Sequence, residues 1–326
     1  MAGCRAARGM AYFLKMKPVP EADISWDVLR RIVRDWAGAD AALDEVRPLA
    51  GGMVNTTLLL KTADNSRAVV KISPHLVNRK LVREAAQLEL LRQIGLPTPR
   101  VFQVHLASLD HPYSFVLMEF VEGVDLNTAR RRCSAEQFDA LQRQLAEMVL
   151  AMHLRTSDAY GRVSDGEEHH SSWPDFYRAL CDPILEETAA SAALPADARR
   201  KIERLHRRLD RLVAHDDCPR LVHWDIWSAN VLARPDDTGN WRIAAILDPN
   251  CRYAHAEAEL AYMELFRTIT PAFLETYQRQ LKISTDYRRI RRPVYQLYSL
   301  LDHVRLFGKQ YLPPLLATLE ECAPLI

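Results

Sequence analysis

The stretch LVHWDIWSANVLA, residues 221–233, sets a histidine, an aspartate, an asparagine and two tryptophans between aliphatic flanks. Polar groups inside an apolar segment cost free energy unless something binds them, so their surroundings decide what they are for. Downstream, NVLAR (230–234) and WRIAAIL (241–247) read as two short strands around PDDTGN, a hairpin with Gly239-Asn240 at its turn. Antiparallel pairing brings Asn230, at the start of the first strand, and Asp248, just past the second, to the same open end. Asp225 lies five residues before Asn230, in the loop entering the hairpin. Two carboxylates and an amide oxygen thus converge, an oxygen-only donor set that suits Mg²⁺ held together with substrate phosphates. Zinc is disfavoured, because His223 has no second histidine or thiolate at ligand spacing.

His223-x-Asp225-x-x-x-x-Asn230, with Asp248 following 18 residues after Asn230, is the arrangement of a kinase catalytic loop and its metal-binding aspartate. Such a site needs a phosphate-holding half, and residues 46–120 offer one. They read as a small, mostly antiparallel sheet with one helix, KLVREAAQLELLRQIG, closed by Gly95 and the following LPTP. Lys71, in AVVKIS, shares a strand face with Val69, where an ammonium needs an anion. In the helix, Leu81, Glu84, Leu88 and Leu91 share one face while Glu89 is backed by Arg92, so Glu84 is the inward acid. A Lys71–Glu84 pair would hold the α- and β-phosphates of ATP. Gly51 and Gly52, in AGGMVN, would let backbone amides approach those phosphates. Met118, Glu119 and Phe120, in MEFVEG, fall at the connection between lobes, where backbone groups would meet the adenine edge. From Ser134 onward the apolar period becomes helical, with Phe138, Leu141, Leu145 and Met152 on one face, and Trp173 and Phe176 read as lobe packing.

These motifs, VVKIS, VREAAQLELL, VLMEFVEG, LVHWDIWSANVL and AILDP, resemble the protein-kinase-like superfamily of small-molecule kinases. Within it, the chain is similar to the fructosamine kinase (ketosamine-3-kinase) family more than to the aminoglycoside phosphotransferases. The narrower likeness lies in Trp227 of DIWSAN, in DPNCRYAHAEAELAYMELF and in YQLYSLLDHVRLFG. It implies a two-lobe α+β fold and an ATP- and Mg²⁺-dependent transfer of phosphate to a ketosamine 3-hydroxyl, in which Asp225 deprotonates the hydroxyl and Asn230 and Asp248 hold the metal. The acceptor would be a fructosamine or ribulosamine, free or on glycated protein lysines, and the same likeness brings Tyr253 and His255 to the acceptor side. Trp227, two residues past Asp225, would offer an apolar wall to the sugar. Three motifs depart from the family pattern. Trp224 stands where glycine is usual in H-G-D, Arg252 and Ala254 replace residues of Y-Y-G-H, and the glycine loop carries Met53 without a cysteine. Trp224 should either narrow the acceptor pocket or pack beneath the loop. The rival readings are an aminoglycoside or other amino-sugar kinase and, from another class, a non-catalytic nucleotide-binding regulator.

The expected organisation is a disordered leader at 1–24, an N-lobe at 25–120 beginning with a helix at 26–36, a connection at 121–126 and a helical C-lobe at 127–326. A length of 326 residues fits two lobes. A net charge of +1 gives no single-sign field for nucleic acid or a membrane surface. No apolar run approaches the roughly 20 residues of a membrane span. The six cysteines show neither paired nor ligand-like spacing, which points to a reducing cytoplasm.

Overall fold

Ser25 accepts the Val28 amide and starts helix α1 (Trp26–Ala37), and Gly38, at a φ of 107°, ends it. The structure, a computed structural model, describes residues 24–49, 56–73, 78–109, 111–163, 169–190 (backbone alone at 189 and 190) and 194–326. The expected leader therefore lies outside the described residues except for Ile24, as do Gly51, Gly52 and Met53.

After α1 come β1 (Leu43–Pro48), β2 (Thr56–Thr62), β3 (Arg67–Ser73), α2 (Arg79–Gln93), β4 (Val101–His105) and β5 (Ser114–Glu119). The strands form one antiparallel sheet in the order β1-β2-β3-β5-β4, which puts β3 at its centre. Pleating divides β3 between two cores. Ala68, Val70 and Ile72 pack with Leu29 and Ile32 of α1, whereas Val69 meets Leu81 and Leu88 of α2 on the other face. Lys71 belongs to the α2 face, paired with Thr57 on one side and Val116 on the other.

The C-terminal part starts with β6 (Val124–Asp125), α3 (Leu126–Arg132) and α4 (Ala135–His153), the last begun by a capping box of Ser134 and Gln137. It continues through β7 (Gly161–Arg162), α5 (Trp173–Ala190), α6 (Ala196–His206), α7 (Leu209–Val213) and β8 (Arg220–Val222). Next come the hairpin β9 (Val231–Pro235) and β10 (Trp241–Ile246), then β11 (Arg252–Ala254), α8 (Ala256–Leu265), α9 (Pro271–Tyr277), α10 (Arg292–Phe307) and α11 (Leu312–Glu321). Leu141, Leu145, Val149 and Met152 of α4 are fully buried with Trp173 and Phe176 of α5 in one large core. Two three-stranded sheets, β10-β9-β6 and β7-β11-β8, carry the loops of interest. The connection between lobes runs against β9, and a side chain on Gly123 would meet the Ala233 carbonyl at 3.2 Å. The Ile246 amide donates to the Pro97 carbonyl at 2.8 Å, and the Cys251 amide to Gln87 Oε1 of α2 at 2.8 Å. These bonds seat the hairpin beneath α2.

Candidate active site

β8 runs into the loop 223–227 and one 3₁₀ turn, Ser228–Asn230, before β9 begins. Val231 pairs with Ile246, and the Leu247 amide donates to the Asn230 carbonyl at 2.8 Å, so the ends of the hairpin meet as the pairing argument requires. Asn230 Nδ2 donates both to the Asp225 carbonyl at 3.0 Å and to Asp225 Oδ2 at 3.1 Å. With its amide nitrogen engaged twice, Asn230 can offer its carbonyl oxygen to a cation. Asp225 Oδ1 accepts from the Tyr262 hydroxyl at 2.7 Å. Asp248 takes the left-handed conformation, φ 58°, which aspartate tolerates better than most residues.

Lys71 joins the two halves. Its ammonium donates to Glu84 Oε1 at 2.5 Å and also bonds Asp248 Oδ1. Burial works against the ammonium, but the Glu84 and Asp248 carboxylates outweigh it and raise its pKa, so Lys71 stays charged. Burial, reinforced by the Asp248 charge, pushes Asp225 up to about 7 against the hydrogen bonds from Tyr262 and Asn230. Lys71 and Glu84 are 12% and 14% exposed, whereas Asp248 is 39% exposed. One side of its carboxylate is therefore open. The Asn230 amide oxygen and the open Asp248 carboxylate make an oxygen-only pair that fits Mg²⁺, which takes few protein ligands and completes its shell with phosphate and water. No group of three or more His, Cys, Asp or Glu side chains suited to a metal occurs among the described residues.

The other sequence-predicted positions divide. Met118 is paired on both sides, with Val69 and Val101, and the Glu119 amide donates to the Arg100 carbonyl at 2.8 Å. Their sheet bonds leave less of the expected base edge than the sequence suggests. Phe120 lies beneath the Arg67 guanidinium, 4.7 Å from its ring centre. Trp227 is half-buried, its ring edge-on to Phe266 at 6.4 Å. From there Phe266, Tyr262, His303, Phe307 and Tyr311 continue as a band of half-buried rings beside Asp225. Tyr253 is in β11, paired with Leu221 and Gly161. His255 is not brought to Asp225's side chain by any bond. It is buried, bonded through Nδ1 to the Tyr295 hydroxyl at 2.8 Å and stacked on His215 at 3.6 Å, and burial keeps it neutral. An acceptor contact through His255 is thus opposed by its packing.

Two residues of α8 escape the sequence reading. Glu259, fully buried, accepts the Trp224 amide at 2.6 Å and bonds His153 Nε2 at 2.8 Å, bracing the loop from below. Tyr262, one turn later on the same face, reaches the carboxylate of Asp225. Inside the apolar run AELAYMELF both read as helix core.

Trp224 packs beneath the loop. Its φ is 69°, a conformation glycine adopts freely and a bulky residue does not. The ring lies edge-on to the buried Trp173 at 6.4 Å and under the Arg252 guanidinium at 4.7 Å. Two of the departures from the family pattern therefore touch each other. Trp224→Gly should relieve strain of about 1–2 kcal/mol. It also removes the aromatic and cation–π contacts and leaves a hole, which together outweigh the relief. A net loss of about 1–2 kcal/mol is expected from urea unfolding, and a gain in stability would show that strain dominates.

The sequence model of the fructosamine kinase family matches residues 25–323. The chain is 27% identical over 289 residues to the probable ketoamine kinase YniA of Escherichia coli (strain K12), covering 88% of this chain and 95% of that protein. It is 28% identical over 297 residues to the chloroplastic protein-ribulosamine 3-kinase of Oryza sativa subsp. japonica, covering 86% and 80%. Among solved structures, it shares its fold with a "putative fructosamine-3-kinase" from Thermobifida fusca YX-ER1, at a TM-score of 0.70, 24% identity and coverage of 91% and 98%. Aminoglycoside phosphotransferase APH(4)-Ia has the same fold at a TM-score of 0.63, with 16% identity and coverage of 92% and 98%. The two-lobe kinase-like fold expected from the motifs is the fold of this chain.

Proposed function

The chain belongs to the fructosamine kinase family, phosphotransferases acting on sugar hydroxyls, and we propose that it transfers the γ-phosphate of ATP to the 3-hydroxyl of a ketosamine. The observation that carries the reading is the Lys71 ammonium bonded at once to Glu84 of one lobe and Asp248 of the other, with Asp225 bonded to Asn230 at the same hairpin end. Lys71 neutralises and orients the α- and β-phosphates. Asp248 and Asn230 would hold Mg²⁺, which would supply positive charge to offset that of the transferring phosphoryl group. Asp225 orients the acceptor hydroxyl and takes its proton as the new O–P bond forms. The bond from the γ-phosphorus to its bridging oxygen breaks, and ADP leaves. Glu119 and Phe120 border the adenine.

The aromatic band that begins at Trp227 supports a sugar acceptor, since C–H faces stack on flat rings. Trp227→Ala should raise the acceptor KM about tenfold, the upper worth of one good aromatic contact, and leave the ATP KM within about twofold. Steady-state kinetics with each substrate varied in turn checks this, and equal losses toward both substrates would remove the wall role. The acceptor is a fructosamine or ribulosamine, free or on protein lysines, and the reaction belongs in the cytoplasm. No described helix is long and apolar enough to cross a membrane. ATP consumption measured across ketosamines, aminoglycosides and free sugars separates this reading from its rivals. Turnover confined to aminoglycosides would favour the amino-sugar kinase, and binding of ATP without turnover the regulator.

A further inference from the structure

The carboxylate of Asp225 is held at both ends. Oδ2 is fixed by Asn230, a neighbour in the same loop, but Oδ1 is fixed from a different element, by the Tyr262 hydroxyl of α8 at 2.7 Å. The phenol itself is well anchored. Its ring packs on Phe266 at 4.8 Å and approaches His303 of α10 at 6.3 Å. One turn earlier on α8, Glu259 holds the backbone at Trp224, so the same helix fixes both the main chain before Asp225 and its side chain. Nothing in packing requires the hydroxyl. A phenylalanine would fill the same space, and among the described residues the hydroxyl donates to Asp225 alone.

We propose that Tyr262 is a positioning residue, whose hydroxyl locks the rotation of the Asp225 carboxylate so that its remaining lone pairs meet the acceptor hydroxyl in a fixed direction. This rests on the reading of Asp225 as the group that receives that proton. A carboxylate bonded only through Oδ2 can swing about its last side-chain torsion, which is broad. Reaction then occurs from a minor orientation. Burial and the Asp225 charge keep the phenol protonated, so it remains a donor throughout.

The test separates orientation from binding. Tyr262→Phe should lower kcat about 10- to 100-fold, the scale expected when a reacting group is misplaced by about an ångström. The KM values for ATP and acceptor should stay within twofold and the melting temperature should hold. Tyr262→3-fluorotyrosine restores the hydroxyl and should restore most of kcat. The same variant gives a readout independent of turnover and of the folding of the phenylalanine variant. Its ¹⁹F resonance should move when Asp225→Asn removes the charge it faces. An unchanged kcat in Tyr262→Phe, a loss that falls on KM or on stability, or a ¹⁹F signal indifferent to Asp225→Asn would overturn the assignment. A wild-type chain that phosphorylates no acceptor would instead overturn the catalytic reading beneath it, whatever the ¹⁹F signal does.

Discussion

Asp248→Ala is expected to remove Mg²⁺-dependent turnover, by roughly 10²- to 10³-fold or more, the scale set by loss of a principal charge-stabilising group. Asp248 is the open carboxylate at the end of the hairpin and the second anion on Lys71. Its removal would take away the only charged ligand of the proposed metal site and let Lys71 fall back on Glu84 alone. The fold should survive, because Lys71 keeps its closest helix partner and the hairpin register rests on backbone pairing. A titration of kcat against Mg²⁺ with a parallel melting curve checks it. An unchanged metal requirement in a folded variant would dismiss the hairpin end as the metal site.

Asp225→Asn should lower kcat about 10²- to 10⁴-fold, the range for loss of a positioned general base. Its shape is kept. The amide oxygen can still accept from Tyr262, and neither Lys71 nor Asp248 bonds Asp225 directly. ATP affinity should therefore stay near the wild-type value, which equilibrium binding measures separately from turnover. A full rate in the variant would leave proton removal to solvent or substrate and strip Asp225 of its role.

Much of this site was legible because chain geometry leaves few choices. Four residues between Asp225 and Asn230, and one hairpin between Asn230 and Asp248, can close on only one end of the pairing. Helical periodicity chose Glu84 over Glu89, and the structure agrees: Glu84 meets Lys71, while Glu89 meets Arg92. The small sheets were not legible, since strands of two or three residues such as β6, β7 and β11 carry no period to detect. Nor were Glu259 and Tyr262, because an acid and a tyrosine within an apolar helix show their partners only once α8 is docked under the loop. Trp224 shows a different limit. The departure from glycine was visible, but only the backbone reveals that tryptophan occupies a left-handed position and is held there by Glu259, Trp173 and Arg252. For Met118 and Glu119, the motif located the connection between lobes but could not tell which backbone groups the sheet already engages.

The most direct measurement is the identity of the phosphorylated product. The purified chain is incubated with ATP, Mg²⁺ and a fructosyl-amine, and the product is read by phosphorus–proton correlation NMR beside an ADP assay. The account expects one phosphate on the sugar 3-hydroxyl for each ADP formed, with none from Asp225→Asn in the same period. ADP released without a phosphorylated ketosamine, or phosphate carried by an aminoglycoside and not by any ketosamine, would contradict it.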